Sequence, residues 1–202
     1  ITLFKTSQQR ISIGMAYPVV KRIIEELKHN PKIEDIQAAG SLRRMKETVG
    51  DIDILVSGAE GTEIVKSFVN MRGVTQILAA GDTKGSVRIE EGVQVDLRVV
   101  REDEFGAALQ YFTGSKEHNV HLREIARKKG LKVSEYGIFR GDKKVGGRLE
   151  EEIYATLGMD WISPELRENR GEIEAAQERK LPKLVELSDI KGDLHNHSNW
   201  SD

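Results

Sequence analysis

Asp51 and Asp53 stand one residue apart in GDIDILV, Gly50 to Val56. Side chains alternate faces along a strand, so both carboxylates point the same way. Carboxylates side by side repel, and a divalent cation is the usual means of neutralising them. Hard oxygen ligands suit magnesium, which keeps several waters and also takes substrate phosphates. Ten residues before Asp51, Gly40 and Ser41 end an apolar strand as a turn whose amide and hydroxyl can face a phosphate. Arg43 and Arg44 add charge where a triphosphate would lie. A third acid follows in GVQVDLRVV, Gly92 to Val100. Here Val93, Val95, Leu97 and Val99 alternate with Gln94, Asp96 and Arg98, the pattern of a half-buried strand. Beside the Asp51 strand, it would bring three carboxylates together, enough for two magnesium ions about 3.5–4 Å apart. Asp96 could then accept the proton of an attacking hydroxyl. Such a site suits phosphoryl transfer, which needs positioning and charge neutralisation more than a covalent nucleophile.

The elements that must position these acids are legible in outline. Ala16, Val19, Val20, Ile23, Ile24 and Leu27 fall at helical spacing, and Asn30-Pro31 ends that helix. Residues 33–39 predict a strand, 60–70 a helix, and 74–80, 86–90 and 93–100 three further strands. The expectation is α+β: a small mixed sheet with one helix packed on each side. From Glu104 the pattern turns helical. Ser115 is placed as the N-cap of a helix running to Lys129, with Gly130 as its stop. Residues 132–145 predict a hairpin around Arg140-Gly141-Asp142, and 149–157 a short helix ending at Gly158.

Net charge is only −2 over 202 residues, so overall charge argues neither for nor against nucleic acid. Its distribution does: residues 116–148 hold ten basic and four acidic side chains, whereas 149–178 hold nine acids and two arginines. The basic run, with Lys116, Arg123 and Arg127, suits phosphate contacts. With no cysteine there is neither a disulfide nor a thiolate metal site. No signal peptide or 18-residue apolar run is present, which leads to the expectation of a cytoplasmic protein with no membrane partner.

Gly-Ser, the paired arginines, Gly-Asp-x-Asp and a later lone Asp on a strand together resemble the nucleotidyltransferase superfamily. YFTGS, Tyr111 to Ser115, followed by Asn119 and Arg123, narrows the resemblance to the family X DNA polymerases, from about Arg10 to Asn169. That resemblance implies a palm over residues 1–104 and a small α/β thumb over 105–170. It makes Asp51, Asp53 and Asp96 the ligands of two magnesium ions, with manganese as a substitute. It gives the triphosphate to Gly40, Ser41, Arg44 and Gly50, and more loosely to Arg10. Tyr111, Phe112 and Gly114 line the sugar pocket and exclude a 2′-hydroxyl, while Asn119 meets the base edge. Arg123 reaches the template, Thr83 and Lys84 approach DNA phosphates, and Arg98, Lys116 and Arg127 join the DNA-binding set. Lys116 and Val120 stand where the beta-type member has an acid and a lysine, and Gln94 replaces an arginine. Template dependence, not the chemistry, is what these departures touch.

An acidic linker is expected over 171–190. Beyond it GDLHNHSNWSD, Gly192 to Asp202, resembles the first motif of a PHP phosphoesterase domain, read here from residue 191. His195, His197 and Asp202 would hold zinc or manganese only in a full-length protein, of which this chain would be a segment without the family's N-terminal helical domain. The implied activity is DNA-directed addition of a deoxynucleotide to a primer 3′-hydroxyl, in short-gap repair. The partners are gapped or primer–template DNA and deoxynucleoside triphosphates, and the protein is expected to be a monomer. Two alternatives stand beside it: a nucleotidyltransferase that is template-independent or uses another acceptor, and a DNA-binding part of a PHP nuclease.

Overall fold

The computed structural model describes residues 10–192; His195, His197 and Asp202 lie outside the described residues. The chain opens with β1 (Ile11–Ser12), α1 (Ile13–Leu27), β2 (Asp35–Ala38), α2 (Gly40–Arg43), β3 (Thr48–Val49) and β4 (Asp51–Ser57). It continues with α3 (Gly61–Val69), β5 (Val74–Ala80), β6 (Lys84–Ile89) and β7 (Gln94–Val100). Five strands form one mixed sheet in the order β2-β4-β7-β6-β5, with β4 and β7 parallel and the other pairs antiparallel. The acidic strand β4 is therefore flanked on both sides, and its neighbour β7 is the strand that carries Asp96.

Alternation sorts the two faces. Ile52, Ile54 and Val56 of β4, with Val95, Leu97 and Val99 of β7, pack against Val19, Val20 and Ile23 of α1 and Ile64, Val65 and Phe68 of α3 in one core. Both helices therefore lie on the same face, not one on each side as the sequence pattern suggested. The opposite face presents Asp51, Asp53, Asp96 and Arg98, which cannot be buried under an apolar helix without large desolvation cost. Only its far end is covered, where Phe105, Ala108 and Leu109 meet Ala39 and Leu55. β5 forms an exposed edge with two bulges, and Ile77 and Leu78 on it face solvent.

The remainder is a second layer with its own core. It comprises α4 (Phe105–Thr113), α5 (Lys116–Lys128), β8 (Lys132–Ser134), β9 (Gly137–Arg140), β10 (Lys143–Gly146), α6 (Glu150–Thr156) and α7 (Glu172–Gln177). Instead of a single hairpin, residues 132–146 make a three-stranded antiparallel meander, β10-β9-β8, because a second tight turn precedes Gly137. Leu122, Ile125, Ile138, Ile153, Tyr154 and Leu157 fill this core, and Ile173 and Ala176 of α7 join it. Packed structure thus extends past residue 170, where a linker was expected. The acids of α7 face outward or cap neighbouring amides, leaving an apolar stripe beneath them. At Gly106 a Cβ would stand 2.2 Å from the backbone of Leu149, so only glycine lets α4 and the start of α6 touch.

Candidate active site

Register brings the acids together. In the parallel β4–β7 pair Asp53 lies directly opposite Asp96, and Asp51 opposite Gln94, all on the open face. Burial, reinforced by the charges of Asp51 and Asp96, pushes the Asp53 carboxyl up to about 7. Arg44 and Arg98 oppose that rise. Asp51 is also raised, first by burial and then by Asp96, against the pull of Arg10. Excess negative charge on half-buried acids is the electrostatic condition that a divalent cation relieves. As they stand, no three His, Cys, Asp or Glu side chains among the described residues are arranged to grip an ion. Gln94 Nε2 donates to both Asp96 oxygens at 3.2 and 3.0 Å and to Ser86 Oγ at 3.2 Å. The donor set fits a hard cation, and Asp96 must leave Gln94 to share one.

Gly40 and Ser41 begin the short helix α2, not an open turn. Gly40 sits at φ +61°, and a Cβ on it would come 2.1 Å from Asp53 Oδ2. Glycine is thus required both by backbone conformation and by the close approach of the acid. Gly50 precedes Asp51 and faces Arg10, whose Nε and Nη2 donate to Thr48 Oγ1 and the Thr48 carbonyl at 2.9 and 2.6 Å. Arg10 is therefore held near Asp51, whose carboxyl its charge lowers.

The two consecutive arginines do different work. Arg43 does not point at a triphosphate. Its Nη1 and Nη2 donate to the two oxygens of Glu150 at 2.7 and 3.0 Å, and Nη1 also donates to Thr113 Oγ1 at 2.9 Å. Arg167, fully buried, binds the same Glu150 and donates from Nε to the Ile162 carbonyl at 2.8 Å. Burial alone would raise the Glu150 carboxyl, but hydrogen bonds from Arg43 and Arg167 and their charges hold it at about 2. This trio locks the sheet domain to the second layer. Nothing local signals it, because Glu150 lies 107 residues beyond Arg43.

Arg44 donates to Glu168 Oε1 and the Thr113 carbonyl, both at 2.7 Å, and its charge still opposes the rise of Asp53. Tyr111 and Phe112 close α4, and Gly114 breaks it in extended conformation. Their rings meet edge to face at 5.1 Å, and Arg98 lies 4.5 Å over Phe112. Arg98 is thus engaged with Phe112 in this structure. Ser115 Oγ caps α5 by accepting from the His118 amide at 3.1 Å, as expected. Asn119 Nδ2 donates to the carbonyls of Tyr111 and Gly114 at 2.7 and 3.2 Å, fixing the end of α4 against the first turn of α5. Arg123 Nε donates to the Asn119 carbonyl at 3.2 Å. Lys116, Arg123 and Arg127 are exposed along α5, and Thr83 is exposed in the turn just before β6. A cavity of about 360 Å³ joins Asp53, Asp96, Lys84, Arg98 and Phe112. Sequence reasoning missed His118, which is fully buried, with Glu172 Oε1 2.6 Å from its Nδ1. Burial holds the imidazole below its ordinary value despite that partner.

A five-stranded palm with an open acidic face, hinged through α4 to a small α/β thumb, is the frame of polymerases of the beta type. The comparisons agree: residues 10–97 match the family model "DNA polymerase beta palm" and residues 108–168 match "DNA polymerase beta thumb". The chain belongs to the family X DNA polymerases. It is 39% identical over 199 residues to DNA polymerase/3′-5′ exonuclease PolX of Bacillus subtilis, covering 96% of this chain and 34% of that protein. Over 161 residues it is 28% identical to DNA polymerase lambda of Rattus norvegicus, covering 65% of this chain and 28% of the relative. It is also 28% identical over 142 residues to repair DNA polymerase X of African swine fever virus, covering 66% and 82% respectively. The chain thus spans about a third of the length of the first two relatives.

Proposed function

We propose that this chain is the polymerising part of a DNA-directed DNA polymerase that adds a deoxynucleotide to a primer 3′-hydroxyl, in short-gap repair. The observation that carries the reading is the pairing of Asp53 with Asp96 across parallel strands, on a face left open beneath the Tyr111–Ser115 segment. Asp51, Asp53 and Asp96 are the residues that hold divalent cations, read as two magnesium ions with manganese as a substitute. Bound there, the cations neutralise the acids and supply the Lewis acidity that phosphoryl transfer draws on. Asp96 takes the proton of the 3′-hydroxyl. Ser41, Arg44, Gly50 and Arg10 receive the triphosphate, and Tyr111 with its backbone excludes a 2′-hydroxyl. Asn119 meets the base edge after leaving the Tyr111 carbonyl. Thr83, Lys84, Lys116, Arg123 and Arg127 contact DNA phosphates. Palm and thumb divide near residue 104.

The protein works as a monomer in the cytoplasm on gapped or primer–template DNA. No helix among the described residues is long and apolar enough to cross a membrane. The Bacillus relative is named for a 3′-5′ exonuclease as well as a polymerase. His195, His197 and Asp202 fit the opening of a phosphoesterase domain of that kind, with zinc or manganese, in a longer protein. The test is single-nucleotide addition at a one-base gap, each deoxynucleotide supplied separately with magnesium, with Asp96→Ala as control. Addition of the complementary nucleotide alone supports the reading. Equal use of all four points to a template-independent transferase, and inactivity of both this chain and the longer protein refutes the reading.

A further inference from the structure

Arg44, the arginine assigned to the incoming triphosphate, is already bound to an acid. Its Nε donates to Glu168 Oε1 at 2.7 Å and its Nη1 to the Thr113 carbonyl at 2.7 Å. Lys46 Nζ stands 3.4 Å from the same Glu168 oxygen. The Arg44 and Glu168 side chains are only 13% and 19% exposed, so water screens the pair weakly. Both line a cavity of about 880 Å³ between residues 44–48 and 165–182, where Arg10 and Arg170 also face the space. The position of Glu168 is fixed. It follows Arg167, whose buried guanidinium is anchored on Glu150 and the Ile162 carbonyl. A rigid neighbour therefore presents the carboxylate to the two cations.

We propose that Glu168 is an internal competitor of the nucleotide: its carboxylate occupies Arg44 and Lys46 until the phosphates of a nucleoside triphosphate displace it. The inference rests on the polymerase reading of Arg44 given above. The exchange trades one carboxylate for a more highly charged, multidentate anion, which a planar guanidinium prefers. It also couples two events, because breaking the pair releases the end of the thumb from the palm loop. Apparent affinity is then reduced by the fraction of molecules whose Arg44 is open. Ligands with fewer phosphates displace Glu168 less well, so the contact selects for the triphosphate.

Glu168→Gln keeps the shape and removes the charge. Calorimetric titration of the whole chain with a non-hydrolysable deoxynucleoside triphosphate and magnesium reads the effect, and melting curves check that the variant folds. If the pair is closed in about nine molecules of ten, the variant binds about tenfold tighter. The gain with a deoxynucleoside monophosphate is smaller. Glu151→Gln makes the same charge change on the exposed side of α6 and leaves the Kd unaltered. A Glu168→Gln protein that folds and binds no tighter than the native chain overturns the inference alone. Failure of the native chain and both variants to bind the triphosphate overturns the reading of Arg44, and the inference with it. An equal gain in Glu151→Gln assigns the effect to general charge and likewise overturns it.

Discussion

Replacing Glu150 with glutamine should unfasten the palm from the thumb. The carboxylate sits between Arg43 and Arg167 and is 5% exposed, and Trp161 Nε1 donates to it at 3.1 Å. Glutamine keeps the volume but offers one weak acceptor and two donors to a pair of guanidiniums, leaving two positive charges without a counter-ion. Two routes give the magnitude. Breaking a buried ion pair by removing one partner costs about 3–5 kcal/mol. Independently, the carboxyl is held at about 2 against an ordinary 4.5. At about 1.36 kcal/mol per unit, that difference is about 3 kcal/mol of stability. The sign follows from the depressed value. The contribution is complete above about pH 4.5 and is lost as pH falls toward 2. Thermal unfolding at pH 7, followed by Trp161 fluorescence in a Trp200→Phe background, should show Tm lower by roughly 6–12 °C in Glu150→Gln. Acidification from pH 5 to 2.5 should then cost the variant about 2 kcal/mol less than the native protein, the remaining loss coming from Glu172 and other acids. A variant within 1 kcal/mol of the native protein at pH 7, with the same acid profile, would refute the account of this trio.

Gly40→Ala should lower nucleotide addition about a hundredfold, since a methyl group 2.1 Å from Asp53 Oδ2 must move that carboxylate by an ångström or more; gapped-DNA affinity measured by anisotropy should stay near native. Asp96→Ala should abolish turnover while a non-hydrolysable nucleotide still binds, because Ser41 and Arg44 remain; retained turnover in a rapid-quench assay would remove Asp96 from the reaction. His118→Leu should cost the thumb about 1–3 kcal/mol in urea unfolding, as Glu172 loses its ring donor inside the core. Chelation of divalent cations with EDTA should stop addition without lowering the melting temperature by more than a few degrees, since the palm core does not depend on the acidic face.

The chemistry of this chain was more legible than its packing. Asp51, Asp53 and Asp96 could be assigned to one face because period-two alternation is a local property. Their adjacency could be posed only as a condition, since the parallel pairing joins segments some forty residues apart. Arg43 and Arg44 show the limit from the other side. Neighbours in sequence look like one basic cluster, yet at the end of a short helix they diverge by about 100°. One goes into the joint with Glu150 and the other to Glu168 near the end of the thumb. Residues 172–177 misled through composition, because Glu172, buried against His118, and the exposed Glu174 mask the two apolar side chains that pack into the core. Which side of the sheet α1 would take was not legible either. Amphipathic spacing tells that a helix packs, and the charged face of its partner decides where.

The parallel pairing of β4 with β7 bears on how the protein comes into being. Antiparallel neighbours joined by tight turns, such as β5 and β6, can zip together as soon as both are made. β4 must instead wait until α3, β5 and β6 have been laid down before its partner arrives. Closing so long an intervening loop is slow and is repaid only when the whole sheet condenses. The three acids therefore come together only when β7 pairs with β4, and a nascent chain that ends before residue 94 carries Asp51 and Asp53 without the strand that brings Asp96. Completion of the sheet and assembly of the three-acid face are therefore one event.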